Sequence, residues 1–104
     1  MEKGYEVVFT IKAKSDLKEI FDYYAIVAGE DKAQSIVNQI ILKVSILKLN
    51  PFIGMKEFLL SHLKKDYRRL VKGNYKIIYL PHKNRVTVYR VYDSRRSPKD
   101  LKIR

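Results

Sequence analysis

Three apolar-rich segments lie close together in the second half of the chain: Tyr67-Arg68-Arg69-Leu70-Val71, Tyr75-Lys76-Ile77-Ile78-Tyr79-Leu80, and Arg85 to Tyr92. Each is rich in β-branched and aromatic residues, which suit a pleated, half-buried surface. Lys72-Gly73-Asn74 separates the first two, and Pro81-His82-Lys83-Asn84 the second pair. Gly, Pro and Asn are turn formers, and connections this short join antiparallel neighbours. The stretch therefore predicts a three-stranded antiparallel meander.

Upstream, Tyr5-Glu6-Val7-Val8-Phe9-Thr10-Ile11 reads as a first strand. Ser15 is a plausible N-cap, with Asp16 in the first turn where negative charge suits the helix dipole. Leu17, Ile20, Phe21, Tyr24 and Val27 recur at helical spacing, and Gly29 ends that helix. A second helix is expected from Asp31 to Leu49, with Ala33, Ile36, Val37, Ile40, Val44 and Leu47 as its stripe. Asn50-Pro51 stops it. The link between the helices is a few residues, so they pair as an antiparallel hairpin. Phe52 to Lys65 is expected to cross as a loop with Leu59, Leu60 and Leu63 tucked in, or as one helical turn.

The order is β-α-α-β-β-β. The helix hairpin hides its apolar stripes by covering one face of the sheet, which gives an α+β two-layer fold in a single domain, residues 1–104. The other face of the antiparallel sheet is expected to stay open.

Charge is distributed unevenly. Residues 64–104 hold 14 Lys or Arg and 3 acids, while residues 1–63 hold 8 of each sign. The whole formal net charge of +11 thus lies in the last 41 residues. Such a field calls for an anionic partner, and self-repulsion makes the free domain only moderately stable. The chain has no cysteine, which excludes disulfides and thiolate metal sites. No apolar run reads as a signal peptide or a membrane span, so a cytoplasmic protein without a membrane partner is expected.

Alternation along the strands sends Arg68 and Arg69 to opposite faces and sets Lys76 apart from Tyr75 and Ile77. Arg90 reads as exposed. Arg95 and Arg96 follow the last strand in Asp93-Ser94-Arg95-Arg96-Ser97-Pro98. Arg68 or Arg69, with Lys76, Arg90, Arg95 and Arg96, predicts an anion-binding surface on the open face, and all six are candidate contacts to a target protein or nucleic acid. Arg can grip phosphate with two parallel hydrogen bonds. Tyr67, Tyr75, Tyr79, Tyr89 and Tyr92 share this segment, and an exposed Tyr can stack on a base. No Gly-rich phosphate loop, metal-ligand spacing or Ser-His-Asp set is present, and neither cofactor nor metal is expected. His62 and His82 fall in loops as ordinary surface residues.

These features resemble the RelE/ParE superfamily of bacterial type II toxins over nearly the whole chain. The resemblance is carried by the opening from Tyr5 to Val27, by the phrase from Tyr67 to Tyr79, and by the ending Val91-Tyr92-Asp93-Ser94-Arg95-Arg96-Ser97-Pro98. It implies a toxin of a plasmid-stabilisation system, bound by a cognate antitoxin in a hetero-oligomer. It also implies one of two targets. RelE-like members cut mRNA on the translating ribosome, and ParE-like members poison DNA gyrase.

Lys76 stands where many relatives carry Arg, and Arg96 matches the Arg after the last strand. Asp93 stands where many ParE-like relatives have His. The tail tyrosine of RelE-type members falls near Lys102, and no Tyr follows Tyr92. These residues lean to the gyrase-binding branch and away from an enzyme. An mRNA endoribonuclease, with Lys76, Arg96 and Asp93 as candidate catalytic groups, is the alternative. A basic nucleic-acid-binding module without toxicity is the third reading.

Overall fold

The computed structural model describes residues 4–96 and 101–103. The elements are β1 (Glu6–Phe9), α1 (Ile11–Ala28), α2 (Glu30–Ser45), a 3-10 turn (Ile46–Lys48), β2 (Met55–Lys56), a 3-10 segment (Phe58–Leu63), β3 (Arg68–Lys72), β4 (Tyr75–His82) and β5 (Arg85–Asp93). The sheet order is β1-β5-β4-β3-β2. The β3–β4–β5 meander is antiparallel as expected, whereas β1 pairs with β5 in parallel, so the sheet is mixed.

Helices α1 and α2 pack together on one face of the sheet. Their stripes, including Ile20, Val37, Ile40 and Val44, meet Leu70, Ile77, Tyr79, Val86 and Val88 in the main core. The hairpin turns on Gly29 alone, at φ +92°, a conformation that side chains with a Cβ rarely adopt.

The first strand is shorter than its composition suggests. Thr10 caps α1 by accepting a hydrogen bond from the Ala13 N–H at 3.0 Å, so Ile11 opens the helix instead of ending the strand. An N-cap oxygen outweighs the β-preference of one branched residue. Ser15 therefore lies inside α1, and Asp16 is a buried side chain instead of a first-turn charge.

The crossing segment supplies a fifth strand. Met55 and Lys56 pair with Arg69 and Arg68, and the following 3-10 segment tucks in Leu60, while Leu59 and Leu63 stay exposed in part. Gly54 makes this approach possible. A Cβ there would sit 2.5 Å from the Arg69 carbonyl oxygen and 2.6 Å from the Tyr79 hydroxyl. That hydroxyl accepts a hydrogen bond from the Gly54 N–H at 2.8 Å.

The second sheet face is not open throughout, contrary to expectation. Leu60 and Leu101 join Tyr67, Ile78 and Tyr92 in a second apolar cluster there. A large apolar patch left on that face would favour association, and the 3-10 segment and residues 101–103 cover it. A β-bulge helps to fill this face. Ile78 pairs with Arg90 but Tyr79 pairs with Val88, so Tyr89 is the extra residue. Val88 and Val91 consequently share the helix side, and Tyr89 and Tyr92 share the other.

Candidate functional site

The six candidate cations go to four places. Arg69 and Lys76 project from β3 and β4 towards Glu57, whose side chain is 2% exposed. The Lys76 ammonium donates to Glu57 Oε1 at 3.2 Å, and an Arg69 guanidinium nitrogen lies 3.7 Å from Oε2. The Leu59 N–H also donates to Oε2, at 3.2 Å. Glu57 thus sits where an outside anion would bind this pair.

Arg68 points the other way, as alternation requires. It donates to the Asp66 carboxylate at 3.0 Å and to the carbonyls of Phe52 and Gly54 at 3.1 and 2.9 Å. Its guanidinium carbon lies 5.3 Å from the Phe52 ring centroid. Arg68 therefore fixes the loop before β2, and its planar fork suits two carbonyls and a carboxylate at once.

Arg90 is buried, which corrects its reading as an exposed strand cation. It donates to Asp16 Oδ2 at 2.7 Å, to Asp16 Oδ1 at 3.2 Å and to the Lys102 carbonyl at 2.7 Å. Asp16 also accepts from the Val91 N–H at 2.9 Å. β1 ends at Phe9, which leaves this part of the β5 edge without a strand partner, and α1 supplies Asp16 to it. A buried charge persists when it is paired and hydrogen-bonded on this scale.

Arg95 and Arg96 leave the end of β5 on the side of α1. They line a cleft of about 350 Å³ with Asp16, Tyr23, Tyr75 and Asp93. Asp93 shapes the turn. It accepts from the Arg95 N–H at 2.9 Å and from the Arg95 guanidinium at 3.0 and 2.8 Å. The guanidinium holds the Asp93 carboxyl below the usual carboxylate range, with burial opposing it. Nearby, burial and the Tyr24 hydroxyl push the Tyr75 phenol up.

The expected single surface is therefore divided. Lys76 and Arg69 share one carboxylate, Arg95 and Arg96 share one cleft, and Arg68 and Arg90 are spent within the fold. Ser97 and Pro98, quoted with the ending, lie outside the described residues. Tyr67, Tyr79 and Tyr92 are buried and present no ring for stacking. Among the described residues no three His, Cys, Asp or Glu side chains are grouped to hold a metal, and no helix is long and apolar enough to cross a membrane.

Sequence reading overlooks Glu57 and misplaces Asp16. The available signal is modest: Glu57 is the last acid before the basic half of the chain.

A solved chain from the chromosomal ParDE TA system of P. aeruginosa superposes with a TM-score of 0.73 at 22% identity, covering 86% of this chain and 95% of that one. At that identity the likeness speaks to the fold. No curated protein sequence matches the chain. The family model described as "ParE toxin of type II toxin-antitoxin system, parDE" matches residues 7–98. The mixed sheet under its helix hairpin, the β5 turn with Arg95 and Arg96, and this match over most of the chain lead to one conclusion: the chain belongs to the ParE toxin family of type II toxin-antitoxin systems.

Proposed function

We propose that this toxin arrests growth by binding DNA gyrase, without cutting RNA, and that a cognate antitoxin neutralises it. The observation that carries this reading is the Lys76–Glu57 contact at 3.2 Å. A ribonuclease would need the strand cation to stabilise a pentavalent phosphate, and here a buried carboxylate already occupies it. Asp93 adds support. A carboxyl held low by Arg95 is a weak proton acceptor near neutral pH. The surface offered to the target is the cationic turn at Arg95 and Arg96 with the adjoining face of α1, where Tyr23 is exposed.

Expression of the chain alone in a bacterium tests this. Gyrase binding predicts growth arrest with a DNA-damage response and intact messages. Primer extension that finds new cuts in translated messages, abolished by Arg96→Ala, would support the endoribonuclease instead. Salt-sensitive nucleic-acid binding without growth arrest would support the non-toxic module.

A further inference from the structure

Among the described residues, the second sheet face carries a cleft at the tip of the β4–β5 hairpin. It has a volume of about 590 Å³ and is walled by Lys65, His82, Lys83, Arg85, Thr87 and Tyr89. The 3-10 segment and residues 101–103 lie over the other half of this face, around Ile78 and Tyr92. Lys65, His82, Lys83 and Arg85 are all exposed. Among the described residues neither Lys65 nor Lys83 has an ion-pair partner, and Arg85 shares an exposed contact with Glu6 at 3.1 Å. Asp66 also borders the cleft, with its charge directed to Arg68 at 3.0 Å and Lys56 at 3.9 Å.

Lys64 and Lys83 are the only non-glycine residues at positive φ among the described residues, at 56° and 55°. Lys83 lines the cleft, and Lys64 precedes Lys65, which also lines it. Gly or Asn holds this conformation more easily than Lys. Lys64 closes the 3-10 segment, with its N–H on the Ser61 carbonyl, and Lys83 lies in the two-residue β4–β5 turn, so helix end and hairpin account for both conformations.

We propose that this cleft binds the phosphodiester backbone of a single-stranded nucleic acid. Lys65 and Lys83 neutralise phosphates, and the Asn84 and Thr87 side chains beside them offer further donors. The volume falls in the range of small-ligand clefts, room for a nucleotide unit or two of an extended strand. Tyr89 stands at the wall, held edge-on to Tyr67 with ring centroids 5.5 Å apart. The site lies away from the Arg95–Arg96 turn, and its test uses no gyrase, so either reading can fail alone.

The test is fluorescence anisotropy with a labelled (dT)6 oligonucleotide at several salt concentrations. Lys65→Gln with Lys83→Gln should weaken binding at least tenfold and lower the slope of log K against log salt by about 1.4. The control pair Lys12→Gln and Lys32→Gln, exposed on the two helices, removes the same charge and should change affinity less than threefold. Lys83→Gly should raise the melting temperature while weakening binding, because it relieves the backbone and removes the cation. Amide shifts of the unsubstituted protein on adding (dT)6 should centre on residues 82–87. The proposal is overturned if both pairs weaken binding equally, if the shifts centre elsewhere, or if (dT)6 does not bind at low salt.

Discussion

The Asp16 carboxylate and the Arg90 guanidinium, 74 residues apart in sequence, meet through hydrogen bonds of 2.7 and 3.2 Å with both side chains buried. The pair joins the first turns of α1 to the far half of β5, beyond the end of β1. Arg90→Met leaves the Asp16 charge buried without its guanidinium, while the Val91 N–H still donates to it. A loss of about 3–5 kcal/mol in urea denaturation is expected, a large share of a small domain's stability. Adding Asp16→Leu should recover part of it. A single variant as stable as the parent would show that the pair does not form.

Glu57 is expected to couple Lys76 to the 3-10 segment. In a double-mutant cycle of Glu57→Gln and Lys76→Met, the interaction free energy should fall at about 1–3 kcal/mol. Additive effects would mean that Lys76 remains available to a ligand, which removes the main support for a non-cleaving toxin.

Gly54→Ala should destabilise by about 1–3 kcal/mol, because the new methyl meets the Arg69 backbone and the Tyr79 ring. Gly73→Ala has open space around its Cβ, and only its positive φ of 60° opposes the change. Thermal melts of the two variants should rank Gly54→Ala as clearly the worse.

The Asp93 carboxyl titrates lower in the folded chain than in the unfolded one. Its contribution is therefore fully present above the unfolded value of about 3.9 and is lost as pH falls through the lower folded value. Asp93→Asn should cost less than about 1 kcal/mol at pH 7, because the Arg95 side chain is 60% exposed and solvent screens the pair. The stability gap between parent and variant should narrow as pH drops below 4. A gap of constant size down to pH 2 would show that the charge plays no part.

Periodicity makes much of the architecture legible. The spacing of Ile36, Val37, Ile40 and Val44 marks α2, and the turns at Gly73 and Asn84 mark the meander. Alternation also separates Arg68 from Arg69 correctly. Features set by partners distant in sequence are not legible in this way. A two-residue strand such as Met55–Lys56 has too few residues to show a period. The parallel pairing of β1 depends on which sheet edge remains available after the meander forms. Tyr89 looks like any strand aromatic until its register with β4 reveals the bulge. The division of the cationic surface has the same origin. Sequence shows that Lys76 and Arg90 are basic, but Glu57 and Asp16 reach them only through tertiary packing.

The most direct test of the account is a paired assay on cells expressing the toxin without its antitoxin and on purified gyrase. DNA supercoiling by gyrase should be inhibited by the purified toxin and restored by Arg95→Ala with Arg96→Ala, while messages in the arrested cells stay uncut. Intact gyrase activity alongside codon-positioned cuts in translated mRNA would contradict it.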